Sequence, residues 1–124
     1  MQPVVSLDLD NLSNGIVVHL DEMDPAKHAS VLTNVANLLA GVEAGTPIEL
    51  VVHGPGLAVA LVDSPHADAL RDLLHRGVAV TACANTIRSL GLPADRLSDG
   101  VGIAPSGVVR LVQRQRQGWA YLRP

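Results

Sequence analysis

The sequence predicts an α/β fold in which a mainly parallel sheet of about five strands lies between two layers of helices. Short apolar segments of strand length alternate along the chain with segments whose apolar residues recur at helical spacing. The connections between them are short and carry glycine, proline or helix-capping residues. This alternation favours parallel strands joined by right-handed crossovers, and therefore a three-layer α/β/α architecture.

The first strand and the first helix follow each other closely. Residues 16–20 form a continuous apolar run, which fits a strand buried on both faces. Asp24 and Pro25 then predict a helix start, with a capping carboxylate followed by proline at the first helical position. Gly41 is expected to end this helix.

The second unit has the same plan with a glycine-rich connection. Residues 48–53 predict a strand that runs into a sharp loop at Gly54-Pro55-Gly56. Ser64-Pro65 predicts the start of the second helix, and Gly77 predicts its end. The glycines of the loop lack the spacing of a dinucleotide-binding motif, so no nucleotide cofactor is predicted.

The third strand leads directly to the only cysteine of the chain. Residues 78–82 predict a buried strand, and Cys83 follows it at the turn into a new helix. That helix is expected to begin near Asn85 and to end at Gly91, and a loop follows it.

The last unit is shorter than the others. Residues 101–103 predict a brief fourth strand, and Ser106 predicts the cap of a helix that Gly118 ends. The apolar residues expected on the inner face of this helix are Val108, Leu111 and Val112. Residues 119–122 predict the fifth strand.

Residues 1–15 are ambiguous within a chain that we interpret as a single domain, residues 1–124. Their apolar residues alternate with polar ones, which suggests a half-exposed strand, and Asn14-Gly15 predicts a turn. The pattern does not choose between a hairpin arm and an extension at the edge of the sheet.

Composition excludes several classes of function. Apolar residues make up 48% of the chain and charged residues 17%, which is typical of a folded protein. The net charge of −3 and the scarcity of aromatic residues argue against a nucleic-acid partner. Arg110, Arg114 and Arg116 cluster near the C-terminus and are expected to form a solvated helix face.

The chain is also predicted to stay off membranes and in a reducing compartment. No apolar run approaches the roughly 20 residues of a membrane span, and the first residues lack a signal-peptide pattern. One cysteine cannot form a disulfide within the chain, so the cytoplasm is the simplest location. The presence of a single cysteine also excludes zinc sites that need a pair of cysteines from one chain.

Candidate site residues should gather at the carboxyl edge of the sheet, where ligands bind in open parallel sheets. At this edge a helix N-terminus can favour the thiolate form of Cys83, although a free cysteine is also often a small buried hydrophobe. Histidines there could act as bases, stabilise the thiolate as cations, or simply be satisfied side chains. The candidates beside Cys83 are His19, His53, Gly54, Asn85, Thr86 and Ser106.

Purely structural roles for the other candidate residues stay open. Gly54 can simply make a turn, and Ser106 can simply cap a helix. No glycine-flanked serine motif supports a serine hydrolase. The histidines and carboxylates near the edge have no spacing typical of metal ligands, so no metal is predicted.

Several segments together resemble one known family. The segments that carry the resemblance are His19-Leu20-Asp21-Glu22, residues 34–39, residues 49–56, residues 76–86, residues 105–108 and residues 117–124. In this order and combination they resemble the DsrE/DsrF-like family, in its single-domain, YchN-like branch. The resemblance covers roughly residues 16–124.

The resemblance implies properties that the residue pattern alone does not. It implies a three-layer α/β/α fold and a homo-oligomer, usually a trimer or hexamer. In the sulfur-relay members a cysteine after the third strand carries a persulfide between partner proteins, and Cys83 falls on that position. Sulfur donor and acceptor proteins are then the implied partners.

Two functions of different classes remain. In the first, Cys83 handles sulfur as a sulfurtransferase or sulfur carrier, with Asn85, Thr86 and the histidines stabilising the anion. In the second, the protein is a non-catalytic oligomeric module that binds a small ligand or a partner. Redox sensing by Cys83 is a third hypothesis, although the chain has no resolving cysteine.

Overall fold

The computed structural model describes Leu9 and residues 12–124, and most of the ambiguous segment within residues 1–15 lies outside these described residues. Within these residues, five strands form one sheet, in which every pairing is parallel. The strands are β1 (Ile16–Leu20), β2 (Ile48–Val52), β3 (Ala79–Cys83), β4 (Gly102–Ala104) and β5 (Ala120–Leu122). Their order across the sheet is β4-β3-β2-β1-β5. The predicted α/β class with a parallel five-stranded sheet is therefore confirmed.

In the described part of the chain, four α-helices connect and cover these strands: α1 (Pro25–Gly41), α2 (Ala67–His75), α3 (Ala84–Leu90) and α4 (Gly107–Arg116). Asp24 caps α1 as predicted, because its carboxylate accepts the N–H group of Ala26 at 2.9 Å. None of the helices in the described region has the length and apolar character that a membrane crossing requires.

The two faces of the sheet carry cores of different size. The larger apolar cluster lies between the sheet and α1 and α2, where Val31, Val35 and Leu70 are fully buried. The smaller cluster lies on the face that α4 covers, and its buried members are Val17, Val51, Leu111 and Trp119. The face of the sheet that packs against α4 therefore has the smaller apolar core, and it carries the polar residues described below.

A buried ionic cluster joins α4 to the middle of the sheet. The Glu49 carboxylate, fully buried in β2, accepts Nε of Arg114 at 2.5 Å and Nη1 of Arg110 at 3.1 Å. The hydroxyl of Thr81 also donates to Glu49, and the Arg114 guanidinium lies over the ring of Trp119 at 4.9 Å. The prediction of a solvated arginine face was therefore wrong for Arg114, which is 1% exposed.

The structure also corrects the predicted inner face of α4. Val108 and Val112 are exposed, because α4 turns Gly107, Leu111 and Arg114 toward the sheet instead. The Ser106 cap was correct, since its hydroxyl accepts the N–H group of Val109 at 3.4 Å.

Two predicted boundaries were wrong. The segment predicted as a sharp loop is a 3₁₀ helix, Gly54–Ala60, whose residues Leu57 and Ala60 are fully buried. The second helix begins at Ala67 rather than Ser64, because the Ser64 hydroxyl accepts the N–H group of His66 in a turn before the helix.

Smaller differences affect single residues. Gly41 lies inside α1, and the chain leaves the helix at Val42. Cys83 is the last residue of β3 rather than the first residue after it.

The register of the strands aligns their carboxyl ends. Leu20 pairs with Val52, Val52 with Ala82, and Ala82 with Ile103. Side chains alternate between the two faces along each strand, so His19, His53 and Cys83 all project on the α4 face at one edge. This alignment positions the candidate site.

Candidate functional site

Cys83 occupies a junction between a strand and two helix N-termini. It ends β3 and is the N-cap residue of α3, and the first residue of α4 lies against it. The side chain is 5% exposed, so only a small reagent reaches the sulfur without movement of the surrounding residues. No second cysteine is present in the chain.

The environment of the sulfur favours the thiolate. Burial raises the pKa of the Cys83 thiol, but hydrogen-bond donors outweigh it, and the pKa lies below its ordinary value. The donors are the N–H group of Gly107, the N–H group and hydroxyl of Thr86, and the N–H group of Asn85. An anion at this position is thus stabilised from two helices at once.

Thr86 is oriented for this role by its other partner. Its hydroxyl oxygen accepts the N–H group of Gly54 at 2.9 Å, which leaves the hydroxyl proton free to be donated to the sulfur. Gly54 has φ +54°, a left-handed conformation that favours glycine at the start of the 3₁₀ helix. The backbone after β2 therefore positions a side chain beside Cys83.

Gly107 brings the start of α4 close to the site. A Cβ atom on this residue would lie 3.1 Å from Cβ of His53 and 3.3 Å from Cβ of Cys83. Glycine therefore allows the N–H group at the start of α4 to approach the sulfur. The same contact shows that His53 and Cys83 are neighbours beneath α4.

A second polar group lies beside this junction, at the ends of β1 and β5. Nε2 of His19 is 2.6 Å from Nε2 of His53, and Nδ1 of His19 is 2.7 Å from the hydroxyl of Tyr121. Asp21 lies next to them, with Oδ2 at 3.9 Å from Nε2 of His19, and its Oδ1 accepts Nη2 of Arg123 at 2.9 Å.

The surroundings of His19 favour its neutral form. Burial lowers the pKa of His19, and the neighbouring His53 lowers it further, against the carboxylate of Asp21, which raises it. A neutral imidazole has one protonated and one free ring nitrogen, so the short contact between the two Nε2 atoms fits a hydrogen bond in which one ring donates and the other accepts.

The predicted site residues come together, but in two adjoining groups. Cys83, Thr86 and the backbone of Asn85 form one group, and His19 with His53 forms the other. Ser106 caps α4 and contributes indirectly by starting the helix at Gly107. The side chain of Asn85 accepts a hydrogen bond from Arg88 instead of facing the sulfur.

An apolar groove lies between α3 and the 3₁₀ helix Gly54–Ala60. Its volume is about 400 Å³, and its lining includes Met23, Leu61 and Leu90. Gly54, Asn85 and Thr86 also line it, so these residues connect the groove with the thiol environment.

Sequence reasoning missed Gly107, Tyr121 and the role of Asp21. Gly107 directly follows the predicted cap residue Ser106. The sequence pattern could therefore have predicted that the N–H group of Gly107 lies near the strand ends. Tyr121 gave no such signal, because its proximity to His19 depends on β5 pairing with β1 at the end of the sheet.

The fold and this edge define a class of protein: a parallel α/β protein with a single buried cysteine between two helix N-termini. Residues 16–124 match the model of the DsrE/DsrF-like family, and the chain therefore belongs to the DsrE/DsrF-like family. No curated protein matches the chain.

Solved structures agree with this assignment. MTH1491 of Methanobacterium thermoautotrophicum, described as a protein of unknown function, is 38% identical with a TM-score of 0.86, over 90% of this chain and 100% of that one. The ychN protein of E. coli is 18% identical with a TM-score of 0.74, over 90% and 99% of the two chains. BT1422 of Bacteroides thetaiotaomicron is 12% identical with a TM-score of 0.73, over 90% and 95%. The last two similarities support the fold.

Proposed function

We propose that the protein carries sulfur as a persulfide on Cys83. The observation that carries this proposal is the environment of the thiol, in which N–H groups from α3 and α4 and the Thr86 hydroxyl lower its pKa. The thiolate is the nucleophile in thiol exchange, so a cysteine stabilised as an anion is suited to accept sulfur. Membership of the DsrE/DsrF-like family supports the same chemistry.

The transfer consists of two balanced displacements. The Cys83 thiolate attacks a sulfane sulfur of an inorganic polysulfide or a donor persulfide, and forms a new S–S bond. The S–S bond of the donor breaks, and the shortened donor leaves with the electron pair as an anion. An acceptor thiolate then attacks the outer sulfur and regenerates the Cys83 thiolate. No external oxidant is required, and the site stabilises a sulfur anion at both ends of the cycle.

The partners and the location of the protein are part of this proposal. The buried sulfur has to be reached by a small polysulfide or by a narrow donor segment, because only 5% of the side chain is exposed. We propose that sulfur donor and acceptor proteins dock at the carboxyl edge, in a reducing cytoplasm that keeps the lone cysteine free.

The pH dependence of alkylation tests this environment. Because the pKa of Cys83 is lowered in the folded protein, its alkylation rate should reach half of its maximum at a lower pH than in the urea-unfolded chain. Iodoacetamide kinetics between about pH 5 and 10, measured with EDTA present, would report both profiles. His53 lies beside Cys83 beneath the start of α4, so the His53→Gln profile shows how much this histidine contributes. A folded profile shifted to higher pH would contradict the proposal.

A pair of substitutions tests the Gly107 donor. Proline at this first position of α4 removes the N–H group without breaking the helix, and the extended backbone of Ser106 is compatible with a following proline. Gly107→Ala introduces a comparable Cβ atom but keeps the N–H group. Because the proline Cδ atom takes the place of the amide hydrogen beside the sulfur, the maximal rate reports access to the thiol, and the midpoint pH of alkylation reports the stability of the thiolate. A hydrogen bond to a charged acceptor contributes about 1.5–3 kcal/mol, so the midpoint of Gly107→Pro should lie at least about one pH unit above that of Gly107→Ala. Equal midpoints would show that this N–H group does not stabilise the thiolate.

A second candidate function is a non-catalytic assembly module. An apolar stripe on the outer side of α4, formed by Val108, Val109 and Val112, is about half exposed and favours self-association. In this interpretation the expected trimer or hexamer buries the stripe, and Cys83 is a small hydrophobe that lines the edge. Treatment of the native protein with polysulfide separates the two functions, because only the first requires a gain of sulfur on Cys83.

A further inference from the structure

Three side chains that carry metal-binding atoms lie close together at the ends of β1 and β2. One ring nitrogen of His19, one ring nitrogen of His53 and a carboxylate oxygen of Asp21 all lie within 4.8 Å of one another. We propose that His19, His53 and Asp21 bind a divalent first-row transition metal ion, for which Zn²⁺ is the probe. The proposal goes beyond sulfur transfer and does not depend on it, since Cys83 is not a member of this cluster.

The strand register creates the cluster. His19 and Asp21 are two residues apart at the end of β1, so their side chains leave the same face of the sheet. Leu20 pairs with Val52, which places His53 opposite Asp21 on the neighbouring strand. Adjacent strands are separated by about 4.8 Å, so side chains on one face at these positions can reach a common ion.

Hydrogen bonds from neighbouring residues orient the metal-binding atoms of His19 and Asp21 toward the centre of the cluster. The hydroxyl of Tyr121 lies 2.7 Å from Nδ1 of His19, so a proton on Nδ1 can be donated to it while Nε2 keeps its lone pair. Arg123 occupies Oδ1 of Asp21, and Oδ2 is the oxygen that approaches Nε2 of His19. Metal-binding histidines and carboxylates in proteins commonly have such outer partners, which set the tautomer and the orientation of the ligand.

The two imidazoles need only a local adjustment to accept the ion. Their ring centroids are 4.8 Å apart and their planes differ by 20°, so the rings meet nearly end-on through Nε2. At this separation a proton bridges the two nitrogens. A tetrahedral zinc site with Zn–N distances of about 2.0–2.1 Å needs the nitrogens about 3.3 Å apart, with the rings tilted toward the ion. His53 is only partly buried, which allows its ring to rotate.

The donor set indicates which ions fit. Imidazole nitrogens suit zinc, copper, nickel and iron, whereas calcium and magnesium prefer oxygen ligands alone. Two imidazoles and one carboxylate also leave a coordination position of a four-coordinate ion open to water or a ligand. The site therefore matches an open transition-metal centre rather than a closed structural zinc site.

Titration of the untagged, EDTA-treated native protein tests the proposal. Calorimetry with Zn²⁺ and visible absorption with Co²⁺ should both saturate at one ion per chain. His53→Gln and Asp21→Asn should each weaken binding at least tenfold, and Tyr121→Phe should weaken it about tenfold through the orientation of His19. His75→Gln, at an exposed histidine on α2, is the matched control and should bind as the native protein does.

Two results would overturn the proposal. Absence of saturable uptake, or uptake that His53→Gln and Asp21→Asn leave unchanged, would mean that the two imidazoles hold only a proton. Loss of binding in Cys83→Ser, together with a thiolate charge-transfer band in the Co²⁺ protein, would assign the ion to the cysteine instead. Sulfur uptake by Cys83, measured with EDTA present, reports separately on the proposed function. Circular dichroism of each variant checks that it is folded.

Discussion

Cys83→Ser should abolish sulfur uptake while the fold and the assembly remain intact. Serine is close in size to cysteine, and the N–H groups of Asn85, Thr86 and Gly107 can still donate to its hydroxyl oxygen. The hydroxyl cannot form a persulfide, so the loss should be complete rather than partial. Intact-mass spectrometry after polysulfide treatment should show added sulfur only in the native protein.

A relocated cysteine is the sharpest control for this result. Ser89 is exposed on α3, so the double variant Cys83→Ser/Ser89→Cys keeps one thiol without the donors that surround residue 83. Because its thiolate lacks this stabilisation, its uptake of sulfur should reach half of its maximal rate at a higher pH than that of Cys83. Sedimentation of the three proteins should give the same mass. A native protein that gains no sulfur, when free cysteine does, would favour the assembly module instead.

Glu49→Gln should destabilise the fold by about 3–5 kcal/mol, because it removes one partner of a buried ion pair. The substitution preserves shape, but the guanidinium of Arg114, 1% exposed, would lose the negative charge that compensates for its burial. Arg110 and Thr81 would lose their ionised acceptor as well. Chemical denaturation by urea, at one protein concentration, measures the change in the free energy of unfolding.

Glu43→Gln provides the matched control for this measurement. Glu43 is exposed after α1, so its neutralisation should change stability by less than about 0.5 kcal/mol. A Glu49→Gln variant as stable as this control would show that the buried cluster is not a net source of stability. A double variant with Arg114→Met tests the pairing directly, since removing both charges should cost less than the sum of the single changes.

The local features of the site were predictable because they depend on neighbouring residues. A short apolar run that ends at Cys83 and is followed by a helical segment predicts a cysteine at a strand-to-helix junction. Ser106 signalled the start of α4 for the same reason, since a cap acts on N–H groups two or three residues away. Parallel strands then imply that these positions share an edge with His19 and His53.

The burial of Arg114 could not be predicted from such local patterns. A helical segment with several arginines is usually solvated, and the pattern around Arg114 contains nothing that indicates burial. Its partner Glu49 lies 65 positions earlier, in a strand whose other residues are apolar. The pair forms only because α4 crosses the sheet over β2, and that placement is a property of the whole fold.

The sequence alone determined the α/β class, the alternation of strands and helices, and the position of Cys83 at the carboxyl edge. Periodicity and capping act over two to four residues, so they can be recognised locally. Only the tertiary structure decided that β5 lies beside β1, which brings Tyr121 to His19, and that α4 begins over Cys83. Strand order and helix placement are selected by the burial of the two faces of the sheet together, a free energy shared by residues far apart in the chain.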